Sequence, residues 1–243
     1  MHRLAITYTA LLHFALAVIL WKSDFLSNLQ YRLGLAFPTL QSEITTYYHN
    51  LVSYHGRSVE IVPDDAAIFI GDSITQGLAV SAVYPLSVNY GIGGDTTVGI
   101  LNRLPVYMPA LERAKYIVIA VGLNDSYYRS VDEAIANYTQ ILETLPQDRR
   151  VVVSAILPID AEADVNRLSE RVTWRREFNN KLKLLADEQE LVTFVDSTAV
   201  LDTNGDERLD TSLYDDNGVH LNIEGNRIWA QSLRNAILSL ELE

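Results

Sequence analysis

Five short apolar runs punctuate the chain from residue 66 onward. Ala66–Ile70 ends at Gly71, Ser87–Tyr90 at Gly91, Tyr116–Val121 at Gly122, Val151–Leu157 at Pro158 and Leu191–Val195 at Asp196. Each is β-branched or aromatic and too short for a helix, so each is expected to be a strand. Four show no polar alternation, the pattern of strands buried on both faces. Between them, apolar residues recur at helical spacing. Val131–Leu145 follows Ser130, an N-cap with Glu133 three residues on. Arg167–Glu190 carries Leu168, Val172, Phe178, Leu182 and Leu185 along one stripe, and Ile223–Leu240 carries Ile228, Trp229, Leu233 and Ile237. Strand–helix alternation predicts a parallel sheet with helices on both faces, a single α/β domain over residues 63–243. Ligands of such sheets sit at the C-terminal ends of the strands.

The first 62 residues follow a different pattern. Leu4–Trp21 is an uncharged run of 18 residues in which His13 is the one ionisable side chain. It nears the length needed to cross a membrane. A signal anchor over 1–22 is the expectation, with a cleaved signal peptide as the alternative and a buried soluble helix as the third reading. Trp21-Lys22-Ser23 is a poor cleavage site, and Trp21 beside Lys22 suits an interface. Arg3 on one side, with Lys22 and Arg32 on the other, barely specifies orientation. Residues 23–62 form a connecting segment. Leu26, Leu29 and Leu33, then Ile44, Tyr47, Tyr48 and Leu51, repeat at helical spacing with Pro38 as a break. Two amphipathic helices are expected, packed on the body or lying at a membrane surface. Pro63-Asp64-Asp65 marks the start of the body.

Charge sharpens this division. The 243 residues carry a formal net charge of −12; residues 1–60 carry +1 and the remainder −13. An acidic body argues against broad nucleic-acid binding and against close approach to anionic headgroups. The absence of cysteine excludes disulfides, thiolate metal sites and a cysteine nucleophile, while leaving the compartment open.

The polar residues with chemical potential fall at strand ends. The first strand runs into Gly71-Asp72-Ser73-Ile74-Thr75, a turn that presents a serine hydroxyl and its backbone N–H at a helix N-terminus. The second runs into Asn89-Tyr90-Gly91-Ile92-Gly93-Gly94-Asp95-Thr96-Thr97, where glycines let backbone approach a ligand and Asp95 or Thr96 caps the next helix. The Gly-Lys-Ser/Thr ending of a phosphate loop is missing. The third runs into Gly122-Leu123-Asn124-Asp125. Of the five histidines, only His220 lies inside the body, in Gly218-Val219-His220-Leu221-Asn222; it has no competitor there as a general base. Asp202-Thr203-Asn204-Gly205-Asp206 begins like a calcium loop but lacks its Gly and Glu positions, so a solvated turn is expected.

The blocks GDSIT, NYGIGGDTT, GLND and GVHLN, in this order, resemble those of the SGNH (GDSL) hydrolase family. The GIGGDTT stretch, residues 91–97, is similar to the platelet-activating-factor acetylhydrolase catalytic-subunit branch. The resemblance spans about residues 64–240. It implies a flavodoxin-like three-layer α/β/α sandwich with a five-stranded parallel sheet, here preceded by the hydrophobic N-terminal helix. It implies Ser73 as nucleophile, His220 as base, and the Ser73 and Gly94 backbone N–H groups with the Asn124 amide as an oxyanion hole. It implies no metal or organic cofactor.

One position departs from the family pattern. An Asp is expected three residues before the histidine, and Asn217 stands there; Asp216 and Asp215 precede it. An Asn accepts a hydrogen bond from imidazole but supplies no charge. Either Asp216 or Asp215 supports His220 from a shifted loop, or a Ser–His dyad works with Asn217 or a backbone carbonyl orienting the ring, or the protein is catalytically feeble. The expected activity is hydrolysis of a small-molecule, carbohydrate or lipid ester by a periplasmic or extracellular domain held at a membrane. The alternatives are an acyltransferase on the same site and a non-catalytic envelope binding module. Tyr127, Tyr128, Val83, Tyr84, Ile159 and Asp160 are further candidates for lining the site.

Overall fold

A computed structural model describes residues 8, 9, 11–14, 16, 43–160, 165–215 and 218–242, with side chains in the 165–187 helix described from Leu168. The chain divides into two compact units, Met1–Gln41 and Ser42–Glu243. In the first, the described residues are helical, and His13 Nδ1 lies 2.7 Å from the Thr9 carbonyl oxygen. The rest of the expected anchor, and the first helix of the connecting segment around Leu26–Leu33, lie outside the described residues. No helix among the described residues is long and apolar enough to cross a membrane.

The second unit is a doubly wound sheet. Its elements are α1 (Thr46–Gly56), β1 (Ala67–Gly71), α2 (Ser73–Gln76), α3 (Val80–Val83), β2 (Ser87–Gly91), α4 (Thr97–Leu111), β3 (Tyr116–Ala120), a 3₁₀ turn (Leu123–Tyr127), α5 (Val131–Thr144), β4 (Arg150–Ser154), α6 (Val165–Asp187), β5 (Val192–Val195), α7 (Thr198–Leu201) and α8 (Ile223–Leu240). All strand pairs are parallel, in the order β2-β1-β3-β4-β5. The crossovers place α4, α5 and α6 together on one face and α3 and α8 on the other. This is the expected three-layer sandwich. The central strands β1 and β3 are almost wholly buried, whereas the edge strands β2 and β5 are half-buried over most of their length. The edge position of β2 accommodates the polar Ser87 and Asn89 of its run.

Local sequence accounts for several element ends. Ser130 and Glu133 form a reciprocal capping box at the start of α5. Thr96, one of the two residues expected to cap the next helix, accepts the Gly99 N–H and begins α4. Asn222 caps α8 by accepting the Glu224 and Gly225 N–H groups. Helix α1 packs on the body as expected for the second connecting helix. Tyr48 is buried, and its hydroxyl donates to the Gly99 carbonyl at 2.7 Å.

The Asp202 loop satisfies itself. The Asp202 carboxylate accepts the N–H groups of Gly205, Asp206 and Glu207 at 2.8–3.1 Å, which agrees with the turn reading.

Candidate active site

In the strand order 2-1-3-4-5, successive connections leave β1 in opposite directions. The crevice at the C-terminal ends of β1 and β3 is therefore the place where a ligand can enter between the loops. The four motif blocks that follow the strands and precede α8 converge there. Ser73 follows β1 by two residues and opens α2. Asp72 caps that turn: its carboxylate accepts the Ile74 N–H at 3.0 Å. Burial pushes the Asp72 carboxyl up to about 7, opposed by this backbone hydrogen bond and reinforced by the nearby Asp95 and Asp125 carboxylates. Asp72 thus shapes the turn rather than presenting a charge to solvent.

His220 comes to the same point from the far end of the chain, 147 residues away. Its Nε2 lies 2.8 Å from Ser73 Oγ. The loop that carries it is pinned by its own backbone. Tyr214 and Leu221 form an antiparallel bridge, the Asp215 N–H donates to the His220 carbonyl at 2.9 Å, and the Asn222 N–H donates to the Leu213 carbonyl at 3.0 Å. Asp160, beyond the end of β4, adds two ties. Its N–H donates to the Gly218 carbonyl at 2.7 Å, and its carboxylate accepts the Tyr214 hydroxyl at 2.7 Å. Gly225 is required here for space, since a Cβ would sit 2.3 Å from the Leu213 carbonyl oxygen.

The other two blocks complete the crevice. A Cβ built on Gly93 would lie 3.9 Å from the Ser73 Cβ, so this loop runs directly alongside the serine. Gly94 has φ +77°, a left-handed backbone that favours glycine. Asn124 donates one amide N–H to the Asp95 carbonyl at 2.9 Å, which joins the β3 turn to the glycine loop. Among the described residues, neither the Ser73 nor the Gly94 backbone N–H has an acceptor. Ser73, Gly94, Asn124 and His220 are therefore brought to one crevice. Asn217 and Asp216 lie outside the described residues. Asp215 is exposed and joins the loop through its backbone.

Other sequence candidates are dispersed. Val83 is buried in the core. Tyr84 packs edge-on against Tyr116 at the start of β3, the opposite end of the sheet from Ser73. Ile159 is fully buried. Tyr127 is half exposed, with the Arg171 guanidinium 4.4 Å above its ring. Residues that follow the two catalytic candidates, including Leu78, Ala82, Leu221 and Ile223, line a groove of about 910 Å³.

Two polar networks behind the crevice were missed by sequence reasoning. Arg103 and Asp95 form an ion pair at 2.8 Å with both side chains fully buried. Arg103 Nη1 also donates to the Tyr90 carbonyl at 2.6 Å and to the Tyr107 hydroxyl at 2.9 Å, while Nη2 donates to the Gly71 carbonyl at 3.0 Å. The Tyr107 hydroxyl lies 2.8 Å from His55 Nδ1 in α1. Burial, helped by Arg103, lowers the His55 imidazole to about 4, so the ring is neutral near pH 7, and its tautomer sets which partner of this bond donates. The second network centres on Asp125. It accepts the Thr97 N–H at 3.0 Å and the Thr97 hydroxyl at 2.5 Å, and pairs with Arg129.

A parallel sheet ending in a Ser–His pair beside a glycine loop and an asparagine amide is an arrangement able to activate a serine hydroxyl. The family follows from comparison with known proteins: residues 69–228 match the GDSL-like Lipase/Acylhydrolase family model, and the chain belongs to that family. It is 33% identical over 117 residues to platelet-activating factor acetylhydrolase IB subunit alpha1 of Rattus norvegicus, covering 44% of this chain and 50% of the relative. It is 31% identical over 117 residues to the alpha2 subunit of Homo sapiens, covering 44% and 51%. These matches span about half the length of each relative. Among solved structures, a GDSL-like lipase from Bacteroides thetaiotaomicron superposes with a TM-score of 0.64 at 17% identity, over 79% of this chain and 99% of that one. A catalytic mutant of an acetylxylan esterase from Geobacillus stearothermophilus superposes with a TM-score of 0.58 at 22% identity, over 73% and 96%. At these identities the structural likeness speaks for the fold.

Proposed function

We propose that the protein hydrolyses carboxylic esters through an acyl-enzyme on Ser73. The observation that carries this reading is the 2.8 Å contact between His220 Nε2 and Ser73 Oγ beside the Gly94 and Asn124 donors. A serine hydroxyl is a weak nucleophile until a base takes its proton. His220 accepts that proton as Oγ bonds to the acyl carbon. The carbonyl oxygen becomes an oxyanion held by the Ser73 and Gly94 N–H groups and the Asn124 amide. Each such donor contributes on the order of 3 kcal/mol to the transition state. Collapse breaks the ester C–O bond, and the leaving alkoxide takes the proton from His220. Water, deprotonated by the same imidazole, then adds to the acyl carbon; the bond to Ser73 Oγ breaks, Oγ takes the proton back from His220, and the acid is released. The likeness to acetylhydrolases favours short acyl groups. A fluorophosphonate probe is expected to label Ser73, as read by peptide mass spectrometry; an unreactive Ser73 favours a binding module instead.

Asn217 makes a second test possible. A carboxylate at the corresponding place in a serine protease is worth about 10⁴ in turnover. Asn217→Asp is therefore expected to raise kcat on a short p-nitrophenyl ester by about tenfold or more with little change in KM. An unchanged kcat would mean that another acceptor already serves His220.

The same reading holds the hydrolase at a membrane through Leu4–Trp21. Support comes from that run and from the exposure of Tyr8, Leu11, Leu12, Phe14 and Leu16 on the described helical residues. The full chain is expected to stay with the membrane pellet in alkaline carbonate. Release into the supernatant counts against the anchor.

A further inference from the structure

Glu43 lies 30 residues before Ser73 in sequence and outside residues 69–228, which the family model matches. Its Oε2 nevertheless accepts the Thr96 hydroxyl at 2.6 Å and pairs with the Arg129 guanidinium. Thr96 is fully buried and is the N-cap of α4, two residues beyond Gly94. Arg129 closes the turn that carries Asn124, since its other guanidinium nitrogen pairs with Asp125, and Asp125 in turn accepts from Thr97. One carboxylate thus joins the two loops that supply the Gly94 and Asn124 donors. The Asn124 bond to the Asp95 carbonyl joins them a second time, nearer the crevice.

Helix α1, which begins three residues after Glu43, covers the same loop. The Gln76 amide donates to the Tyr47 hydroxyl at 2.6 Å, and a Cβ on Gly93 would lie 3.6 Å from the Tyr47 ring. The segment that precedes the matched domain therefore lies against this loop at Gly93. An oxyanion hole stabilises a transition state only when its donors are fixed before charge develops. A donor displaced by a fraction of an ångström binds substrate as before and stabilises the tetrahedral oxyanion less.

We propose that Glu43 is a positioning residue for the oxyanion hole, so that the segment before the family domain sets the catalytic power of the site. This rests on the Ser73 acyl-enzyme reading. Glu43→Gln keeps the length and an acceptor for Thr96 but removes the charge that holds Arg129. In the full chain, with rates normalised by active-site titration, Glu43→Gln is expected to lower kcat about tenfold or more with KM within about twofold. Affinity for a boronic acid that forms a tetrahedral adduct on Ser73 is expected to fall in parallel with kcat. Amide hydrogen exchange is expected to rise over residues 93–98 and to stay unchanged over β1.

A variant with wild-type kcat per titrated site, wild-type boronate affinity and unchanged exchange over 93–98 would overturn the proposal. So would a loss confined to the number of titratable sites, because that is destabilisation alone. Failure of the underlying reading looks different: the wild-type enzyme itself would resist the boronate and would keep its activity in Ser73→Ala.

Discussion

Ser73→Ala is expected to lower kcat for a short p-nitrophenyl ester by about 10⁶-fold, the size of loss seen when a serine hydrolase loses its nucleophile. The 2.8 Å contact with His220 Nε2 is the one side-chain contact of the Ser73 hydroxyl among the described residues, so its removal leaves the turn intact. The turn itself is held by Asp72, whose carboxylate caps Ile74, and by the N–H of Gly77 donating to the Ser73 carbonyl at 3.1 Å. Thermal unfolding of the variant should therefore match that of the wild type. His220→Ala should produce a loss of similar order. The double variant should be no worse than either single one, because nucleophile and base act in one step. The residual rate, still above that in water, would report the oxyanion donors alone. Retention of more than about a hundredth of wild-type kcat in Ser73→Ala is incompatible with the acyl-enzyme assignment.

The sheet was legible because its central strands are buried on both faces. Such strands read as unbroken apolar runs, and each observed strand falls on one of the five. The limits of that signal show at Val151–Leu157. The strand ends at Ser154, yet Ala155, Ile156 and Leu157 stay buried. The last bond to the neighbouring strand is from the Ala155 N–H to the Val195 carbonyl, so the apolar run records burial and continues past the pairing. Helix α4 is the opposite case. Pro105 and Pro109 lie inside it and Gly99 in its first turn, which reads against a helix. Its buried positions Ile100, Leu104, Tyr107 and Leu111 nevertheless keep helical spacing.

The site separates in the same way. Ser73, Gly94 and Asn124 sit where apolar runs end in glycine-marked turns, and His220 is the one histidine after residue 55, so local sequence draws attention to all four, while the roles proposed for them come from the family resemblance. Glu43 meets Thr96 across 53 residues and Arg129 across 86. Pairings of that kind leave no periodicity for a sequence to display. Arg103 did leave a trace: it is a charged residue within the apolar stripe of α4, between Ile100 and Tyr107. A charge in that position needs a buried partner, and Asp95, eight residues earlier, supplies it.

Arg103→Met is accordingly expected to destabilise the protein by about 3–5 kcal/mol at neutral pH, the cost of breaking a buried pair by removing one partner. Methionine fills much of the volume but leaves the Asp95 carboxylate, the Gly71 and Tyr90 carbonyls and the Tyr107 hydroxyl without their donor. The loss should depend on pH. Burial already raises the Asp95 carboxyl from 3.8 to about 6 against the pull of Arg103, and removal of the guanidinium raises it further. An acid whose folded pKa is raised gives its full stability below the unfolded pKa and loses it as pH rises through the folded value. In the wild type that loss is complete soon above pH 6; in the variant it continues to higher pH. The gap between them should therefore be smaller at pH 5 than at pH 8, as measured by urea unfolding at the two values. Arg103→Met combined with Asp95→Asn should recover part of the loss at pH 8 and little at pH 5. A gap that is the same at both pH values would show that the cost comes from the unpaired carbonyls, with the Asp95 charge contributing nothing. The same pair holds the ends of β1 and β2 to the loop that carries Gly94, so a variant that still folds at pH 5 should also have lost catalytic rate there.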